Sequence, residues 1–545
     1  MKKIVSLKNI FTKKGKKELF IFFLIYLLLL FYKFVFSLTP SWHSDESTNI
    51  WLSYIYKISE TPVGTLSSQY IPNPNGLLFL IKPLTLIEDL TTVSLFLSFF
   101  QLICISLFVY HFPVKTNKLL LFFTLSFSLL ITNSSVHLWN QWIVLNFNLL
   151  FFAFYFKYKE SKNFNNLIYG LYFGLTSLTI YLGSFVSVLI FLVIFLVEFF
   201  NLLRQRKISF TPTKNLIFST FLFIYYQFFI VWIPYFKKVS IDDIKNISSI
   251  SLMNRIEILI ENFLDVPGLI LVLFTKFNSF FIFLLDPGQT SLKLNYLFRF
   301  FVIYHKLLVS CALVLLIFFS KDSLNSKKIF TYEFKILLSY IYFFLLLSPL
   351  FGGTDFSTFE RFDKVIELYP FYITLIFLVF FHSKNIFNKI KMSIFIIFIL
   401  LNISIGLLMS YESIMYKGSY IGDGDVTIYQ KQQISKALAL DINSKNIQEA
   451  TISYQLGAGK FEWIVEHSEN FKRYYDKYPF TIGRYFDYVL YKKYNISNLY
   501  EGINNRNYMD AQYIISYTSI DPQYASDLNY KELVYGQLRL SILED

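Results

Sequence analysis

Eleven long apolar segments constrain the fold of this chain more than any other feature. About 20 helical residues are needed to cross the hydrocarbon core of a bilayer, and most of these segments approach that length. Of the 545 residues, 54% are hydrophobic and only 16% are charged, far from the balance of a soluble domain. We therefore expect a polytopic α-helical membrane protein with about eleven transmembrane helices. The predicted spans are Leu19–Leu38, Thr92–His111, Leu119–Thr132, Trp142–Phe156, Leu167–Ile180, Ser184–Phe200, Leu216–Tyr235, Phe300–Phe319, Ile336–Leu350, Val365–Phe381 and Met392–Met409.

The distribution of basic residues predicts how these spans are oriented. The net charge of +13 is concentrated in alternate loops, whereas the tail after Tyr411 holds 14 Lys/Arg against 17 Asp/Glu. Loops rich in Lys and Arg stay in the cytoplasm, so the N-terminus is predicted there. The loop holding Asp45, the loop 351–364 and the tail then lie outside. We expect an integral protein of a bacterial inner (plasma) membrane, and no nucleic-acid partner.

Two apolar segments need separate treatment. The run Leu19–Leu38 is too long for the core of a signal peptide and has no small-residue cleavage site, so it is predicted to be a retained anchor. The run Leu269–Leu285 would invert every later loop if it crossed the membrane. Turn signals at Pro267-Gly268 and Pro287-Gly288 favour a re-entrant segment that dips and returns.

The first external loop, residues 40–90, is too long and too apolar to be a simple connector. Ser44 is suited to cap a helix that runs from Asp45 to Ile55 with its acidic residues in the first turn. A second apolar stretch covers Leu77–Ile87 after a Pro-Asn-Pro-Asn-Gly cluster. We expect two helices that lie along the membrane surface.

The composition changes after Tyr411, which divides the chain into a membrane module, 1–411, and an external α/β domain, 412–545. Strand-like runs cover Ala450–Tyr454 and Gln512–Ser516, and a helical pattern covers Gln430–Leu440. The two cysteines lie inside apolar runs, which argues against a disulfide framework. No metal-ligand motif such as HExxH is present in the sequence.

The Asp45-Glu46 pair is the strongest candidate for chemistry, because two adjacent carboxylates just past the first span are not needed for membrane crossing. A carboxylate at a bilayer boundary carries little energetic penalty when it faces water. In addition, Phe359-Glu360-Arg361-Phe362 leads towards Leu368-Tyr369-Pro370 before a late span. The order of these features, with Pro72-Asn73-Pro74-Asn75 between them, resembles the GT-C superfamily of membrane glycosyltransferases. It is most similar to the protein O-mannosyltransferases and the aminoarabinose transferases of lipid A.

The resemblance implies a GT-C-like fold and a glycosyltransferase that uses a polyprenyl-phosphate sugar donor on the external face. Asp45 would act as the base that deprotonates a lipid, glycan or protein acceptor, and Glu46 would orient a loop or the acceptor. The leaving phosphate needs cationic donors, for which a guanidinium is well suited. No cofactor or metal is required in principle. The candidate substrate-binding residues are Arg361, Lys82, Arg255 and His43.

Each candidate also has a purely structural interpretation. Asp45 and Glu46 suit the first turn of a helix behind a serine cap, and Arg361 is balanced by neighbouring acids. Lys82 is suited to extend towards lipid headgroups. Arg255 fits a solvated helix face with paired charges, and a lone interfacial histidine is usually structural.

Two other functions fit parts of the pattern. A surface-polysaccharide polymerase or ligase also has many spans, but such enzymes usually rely on arginines in a large late loop. A non-enzymatic lipid or solute transporter would show repeated halves and charged residues at mid-membrane, where this chain has few beyond Lys33 and Lys306. The transferase is therefore the preferred hypothesis.

Overall fold

The structure of the chain is a computed structural model with side chains. It describes most of the predicted membrane segments, most of the loop 40–90 and part of the tail. The described residues are 13–40, 44–57, 63–66, 72–113, 117–205, 213–239, 260, 292–321, 331–352, 366–382, 388–417, 426–447, 450–455, 511–518, 522, 524 and 527–544.

The described chain is predominantly helical, and helical residues overlap each of the eleven predicted apolar segments. The elements in chain order are α1 (Lys13–Ser37), α2 (Ser44–Ile55), β1 (Val63–Leu66), β2 (Pro72–Pro74), α3 (Gly76–Ile81), α4 (Leu90–His111), α5 (Lys118–Ser126), α6 (Leu129–Val136), α7 (Asn140–Ser161), α8 (Phe164–Ile180), α9 (Phe185–Arg204), α10 (Lys214–Ile224), α11 (Ile233–Lys238), α12 (Leu292–Lys321), α13 (Tyr332–Gly352), α14 (Tyr369–His382), α15 (Asn388–Glu412), α16 (Ile428–Ser444), β3 (Ile452–Gln455), β4 (Tyr513–Tyr517), β5 (Tyr530–Tyr535) and β6 (Leu538–Leu543).

Five helices of the described chain are long and apolar enough to cross a membrane, and the pair α5 and α6 makes a sixth if it is one broken span. These lengths and compositions are those of a polytopic membrane protein. The count of about eleven spans and the GT-C fold stay predictions. The predicted re-entrant segment Leu269–Leu285 lies outside the described residues.

The pair α5 and α6 is bent by 57°, where the sequence indicates one straight span ending at Thr132. The side-chain oxygen of Asn402 in α15 accepts a hydrogen bond from the Leu129 backbone N–H at 2.8 Å. This bond satisfies one of the four N–H groups that a helix start leaves unpaired. Inside a bilayer such a break is tolerated only where protein groups satisfy the freed backbone. Asn402 therefore stabilises the start of α6.

The loop 40–90 folds onto the helix ends as two helical pieces, as predicted for Asp45–Ile55 and Leu77–Ile87. The second piece is α3 followed by a 3₁₀ turn, Lys82–Leu86. An antiparallel pair, β1 with β2, was not predicted. The Asn75 amide donates to the Ile230 carbonyl at 3.0 Å, and Tyr235 Oη donates to the Pro72 carbonyl at 2.9 Å. These bonds fasten the loop to the helix Lys214–Lys238, in which a π-helical stretch, Tyr225–Trp232, joins α10 to α11.

The described part of the tail forms a small α/β unit, as the predicted strands and helix indicate. Helix α16 begins with a capping box, in which the Thr427 hydroxyl accepts from the Gln430 backbone N–H and the Gln430 side-chain oxygen accepts from the Thr427 backbone N–H. The sheet order is β3-β4-β6-β5, with β3 parallel to β4 and the other pairs antiparallel. Its apolar side chains share one buried cluster with residues of α2, α3 and α4. The domain boundary between residues 411 and 412 stays a prediction.

Candidate functional site

Helix α2 carries the predicted carboxylate pair in its first turn. Both Asp45 and Glu46 lie in the helix that was expected there, and the structure describes the Glu46 side chain but not that of Asp45. Glu46 points into the protein, where its Oε1 lies 2.8 Å from Nδ1 of His137. Both side chains are only 2% exposed. A buried carboxylate is stable only when it is paired or hydrogen-bonded, and His137 meets that need.

His137 follows the last residue of α6 and links it to α2. Its ring stands edge-on to Trp142 with the centroids 4.8 Å apart. Since Nδ1 contacts Glu46, the hydrogen bond selects the tautomer with the proton on Nδ1 when the ring is neutral. The other ring nitrogen, Nε2, is buried and meets no hydrogen-bond partner among the described residues. An orphan ring nitrogen of this kind is a candidate contact for a ligand.

Asn49 lies about one turn beyond Glu46 and fixes α2 to two further helix ends. Its amide donates to Oδ1 of Asn140 at 2.9 Å and to the Leu138 carbonyl at 3.2 Å. Asn140 in turn donates to the Ile180 carbonyl at 2.9 Å. The end of α6, the start of α7 and the end of α8 therefore meet α2 at one end of the helix bundle, which we name the α2 end.

Lys82 holds the other end of α2. Its ammonium donates to the carbonyls of Tyr56 at 2.8 Å and Tyr54 at 3.2 Å, and also to that of Ser53. The last carbonyls of a helix lack partners within the helix and attract a cation. Burial lowers the pKa of Lys82. All three N–H groups thus have protein acceptors, so the observed role of Lys82 is to cap α2, and phosphate binding by this residue stays a prediction.

Helix α6 presents a polar run to its neighbours although it is completely buried. Ser98 and Gln101 of α4 contact it, with Ser98 Oγ 3.0 Å from Ser135 Oγ and the Gln101 amide 3.2 Å from Ser134 Oγ. Both polar atoms of the Asn133 side chain are buried without a hydrogen-bond partner in the part of the chain that the structure describes. Burying polar groups without hydrogen bonds costs free energy, and polar residues inside a membrane protein often have a functional role. Helix α6 is therefore a candidate binding element.

Lys33 of α1 approaches the same helix. Its ammonium donates to Oγ1 of Thr132 at 2.9 Å and is completely buried. Thr132 Oγ1 also donates to the Ser126 carbonyl across the bend. Lys33 therefore contacts α6 beside its bend, at the residue that precedes Asn133 and lies five positions before His137.

A second buried carboxyl group lies elsewhere in the bundle. Glu367 accepts hydrogen bonds at one oxygen from Asn148 at 2.5 Å and from Ser187 at 3.0 Å. The Tyr340 hydroxyl lies 3.1 Å from the Asn148 amide and 2.9 Å from the Ser187 hydroxyl. This network joins α7, α9, α13 and the turn before α14, and it is fully enclosed by side chains, which is typical of a packing role.

Glu198 marks the opposite end of the bundle. It contacts Lys159 at 2.9 Å and the Tyr332 hydroxyl at 2.7 Å, which joins the end of α7, the end of α9 and the start of α13. Lys159 also lies over the Tyr332 ring at 4.2 Å from its centroid. The two ends of the bundle therefore differ: one is closed by this cluster, and the other carries α2, the first loop and the tail.

His43, Arg255 and Arg361 lie outside the described residues. Among the side chains that the structure does describe, no three His, Cys, Asp or Glu groups gather as a metal site. Catalysis without a metal or cofactor stays a prediction.

His137, Thr132 and Asn133 were not among the residues selected from the sequence. The signal that points to them is the run Thr132-Asn133-Ser134-Ser135-Val136-His137, in which five of six residues are polar although it extends an apolar segment. A polar run in a bilayer-length helix needs partners from other helices. Comparison with family models, curated proteins and solved structures yields no match for this chain.

Proposed function

We propose that this chain is a membrane glycosyltransferase of GT-C-like architecture that moves a sugar from a polyprenyl-phosphate donor to an acceptor outside the cytoplasm. The acceptor class is a lipid, glycan or protein, and the residue that removes its proton is Asp45. The proposed location is a bacterial inner membrane.

The observation that carries the proposal is that other parts of the protein hold both ends of α2. One end of this helix is held by the buried Glu46–His137 pair and the other by the Lys82 cap. Catalytic groups need to be held within a fraction of an ångström by neighbours that are themselves fixed. A helix that only started with acidic residues for its dipole would not need a buried partner for Glu46 on another membrane helix. The contacts that hold both ends of α2 support a functional role for its first turn.

The proposed chemistry is a displacement at the anomeric carbon. The acceptor hydroxyl loses its proton to the Asp45 carboxylate as its oxygen bonds to the anomeric carbon. The bond from that carbon to the phosphate oxygen breaks, and the lipid phosphate leaves with the electron pair. Arg361 is proposed to contact this phosphate, because a guanidinium holds two oxygens at once. Glu46 acts through His137 as a positioning residue.

One observation favours a second candidate, a transporter of a lipid or solute. Helices broken near buried polar groups are typical of secondary transporters, and α5 and α6 are bent by 57° beside Lys33. In a transporter the Asp45 carboxylate would not be needed for bond cleavage. An assay of bond cleavage therefore separates the two functions.

The test uses the full-length protein in lipid nanodiscs and a panel of polyprenyl-phosphate sugars with a mixture of cell-envelope acceptors. The measured product is free polyprenyl phosphate. Asp45→Asn removes the base, and the expected loss of rate is about 10²–10⁴-fold. Glu88→Gln is the matched control, because Glu88 is an exposed carboxylate of the same loop.

The transferase is supported if the native protein and Glu88→Gln release polyprenyl phosphate and Asp45→Asn does not. Equal release by Asp45→Asn removes Asp45 from the reaction. Movement of a lipid-linked sugar across the bilayer of sealed proteoliposomes that contain the protein, without bond cleavage, would instead support the transporter.

A further inference from the structure

We propose that Lys33, with Thr132 and Asn133, forms an anion site that binds the phosphate group of a membrane lipid. The inference rests on the proposed function for the identity of that lipid, a polyprenyl phosphate, but its binding chemistry is independent of sugar transfer. Neither Lys33 nor α6 was assigned a role in the transferase hypothesis.

The first step concerns the charge of Lys33. Its ammonium is completely buried, and the only partner that the structure describes for it is the neutral hydroxyl of Thr132. Removing an ammonium from water costs several kcal/mol unless an anion compensates it. An ionisable residue buried in a membrane protein is therefore a functional candidate whose partner must be identified.

The second step concerns the carboxylates available within the described chain. Glu46 is engaged with His137, Glu198 with Lys159, and Glu367 with Asn148 and Ser187. Neither these three nor Glu412, the fourth buried acid among the described side chains, forms an ion pair with Lys33. An anion from outside the protein would supply the missing charge.

The third step concerns the donors that surround such an anion. An ammonium has three N–H donors, and Thr132 accepts one, which leaves two for phosphate oxygens. The next residue, Asn133, has a buried amide with no partner among the described residues. Phosphate oxygens are strong acceptors for charged and amide donors. The free N–H groups of the Lys33 ammonium, together with the Asn133 amide N–H groups, are the donors proposed for an anion.

The fourth step concerns position. Lys33 lies four residues before the end of α1, and Thr132 lies four residues before the end of α6. At 1.5 Å per residue both are about 6 Å below the α2 end of the bundle. His137 is five residues beyond Thr132, or about 8 Å along the same direction. A phosphate at Lys33 would therefore place the attached sugar towards α2, which carries Asp45.

The fifth step concerns access. Phe31 and Phe34, which flank Lys33 on α1, are 54% and 49% exposed on the surface of the bundle. This apolar surface is the kind that faces lipid tails. Lys33 itself is buried on the other side of α1, against α6, so the phosphate would enter between α1 and α6 while its tail stays in the bilayer.

The experiment measures ligand-induced shifts of the thermal unfolding midpoint of the full-length protein in detergent. The probes are a polyprenyl monophosphate, the uncharged polyprenol of equal length, and inorganic phosphate. The variants are Lys33→Met, Lys33→Gln and Lys33→Arg. Lys306→Met is the matched control, because Lys306 is a membrane-helix lysine that is exposed on α12.

The polyprenyl phosphate is expected to raise the midpoint of the native protein and of Lys306→Met, and the polyprenol is not. Lys33→Met and Lys33→Gln are expected to weaken apparent binding by roughly tenfold to a hundredfold, the contribution of a hydrogen bond to a charged group. Lys33→Arg should retain part of the shift. An equal shift with inorganic phosphate would identify a soluble phosphate as the ligand instead of a lipid.

Without ligand, Lys33→Met should unfold at the same or a higher temperature, because it removes a buried charge that lacks a counterion. A large fall in its midpoint that Asp45→Asn reverses would show an internal ion pair and overturn the inference. Equal shifts in Lys33→Met and the native protein would also overturn it. Since no sugar is present, failure here leaves the transferase test unaffected, and failure of that test leaves the binding result intact.

Discussion

The carboxylate of Asp89 accepts a hydrogen bond from the side-chain amide of Gln432, a residue 343 positions later in the chain. Asp89 is also the N-cap of α4, where it accepts from the backbone N–H groups of Thr91 and Thr92. Helix α16 of the tail is therefore fastened to the start of a membrane helix. A second bond, from the Ile428 N–H to the Pro40 carbonyl at 2.7 Å, fastens the same helix near the end of α1. The tail thus forms part of the α2 end.

The first prediction concerns Asp89 and pH. Burial by itself raises the pKa of Asp89, but hydrogen bonds from Thr91, Thr92 and Gln432 outweigh it and hold the pKa below its ordinary value. Asp89→Ala should lower the free energy of unfolding by about 1 kcal/mol at pH 7, the usual effect of losing an N-cap. A carboxyl group whose pKa is lower in the folded state stabilises the fold at pH values above its unfolded-state pKa, which is about 3.9 for Asp. This stabilisation is lost as the pH falls through the folded-state pKa.

The measurement is unfolding in detergent at pH 7, 5 and 3.5, compared with Asp527→Ala, which changes an exposed Asp of the tail. The difference between Asp89→Ala and the native protein should be constant from pH 7 to 5 and shrink below about pH 4. The tail of Asp89→Ala should also be digested by a protease faster than the tail of the native protein. A difference that grew on acidification would contradict the assigned pKa direction.

The second prediction concerns the Glu46–His137 pair. Removing one partner leaves a buried polar group without its hydrogen bond, which costs about 1–3 kcal/mol, or more if the group is charged. Glu46→Ala and His137→Ala should each destabilise by this amount. The double variant should be less destabilised than the sum, by a coupling of about 0.5–3 kcal/mol. Unfolding titrations in mixed detergent measure these differences.

Glu88→Ala on the same loop is the control, because its side chain is exposed, and it should change stability by less than about 0.5 kcal/mol. Glu46→Gln keeps an oxygen that accepts from Nδ1, so it should retain more stability than Glu46→Ala. Strict additivity of the two alanine variants would mean that the two side chains do not interact.

Hydropathy predicts the long helices but not the geometry of the site. The apolar runs predict helices because only a helix satisfies every backbone group of a single segment in lipid, and α4 and α15 lie where expected. The bend before α6 depends on Asn402, which is 273 residues from Leu129. The partner of Glu46 lies 91 residues away. Local patterns contain no information on such pairings, although the polar run in α6 marks where partners are needed.

The third prediction concerns the close approach of α3 to α8. A Cβ atom at Gly76 would lie 2.5 Å from the Thr179 carbonyl oxygen and 2.7 Å from Thr179 Cβ, so Gly76→Ala requires backbone movement. We expect destabilisation of about 1–3 kcal/mol, the usual effect of overpacking. Gly170→Ala is a milder comparison, since a Cβ atom at Gly170 would have its nearest contact, the Phe151 carbonyl oxygen, at 3.2 Å. Equal unfolding midpoints for the two variants would show that α3 is not tightly seated.

The last prediction concerns Asn402, which holds α6 in place. Its amide oxygen accepts from Leu129 and its amide nitrogen donates to the Phe398 carbonyl at 2.7 Å, while Tyr32 donates to its backbone carbonyl at 3.2 Å. Asn402→Leu keeps the volume but removes the cap. Loss of a side-chain hydrogen bond to the start of a helix costs about 1 kcal/mol in water, and water is not available here to replace the bond.

Asn402→Leu should therefore lower the unfolding midpoint and also displace α6, which carries Thr132 of the proposed anion site. Polyprenyl monophosphate should raise the unfolding midpoint of Asn402→Leu by less than it raises that of the native protein, although Lys33 itself is unchanged. Ser393→Ala is the control, because Ser393 lies on the same helix α15 but is exposed and bonds only within that helix. If Asn402→Leu lowers stability yet leaves the lipid phosphate shift unchanged, the position of α6 does not govern binding at Lys33.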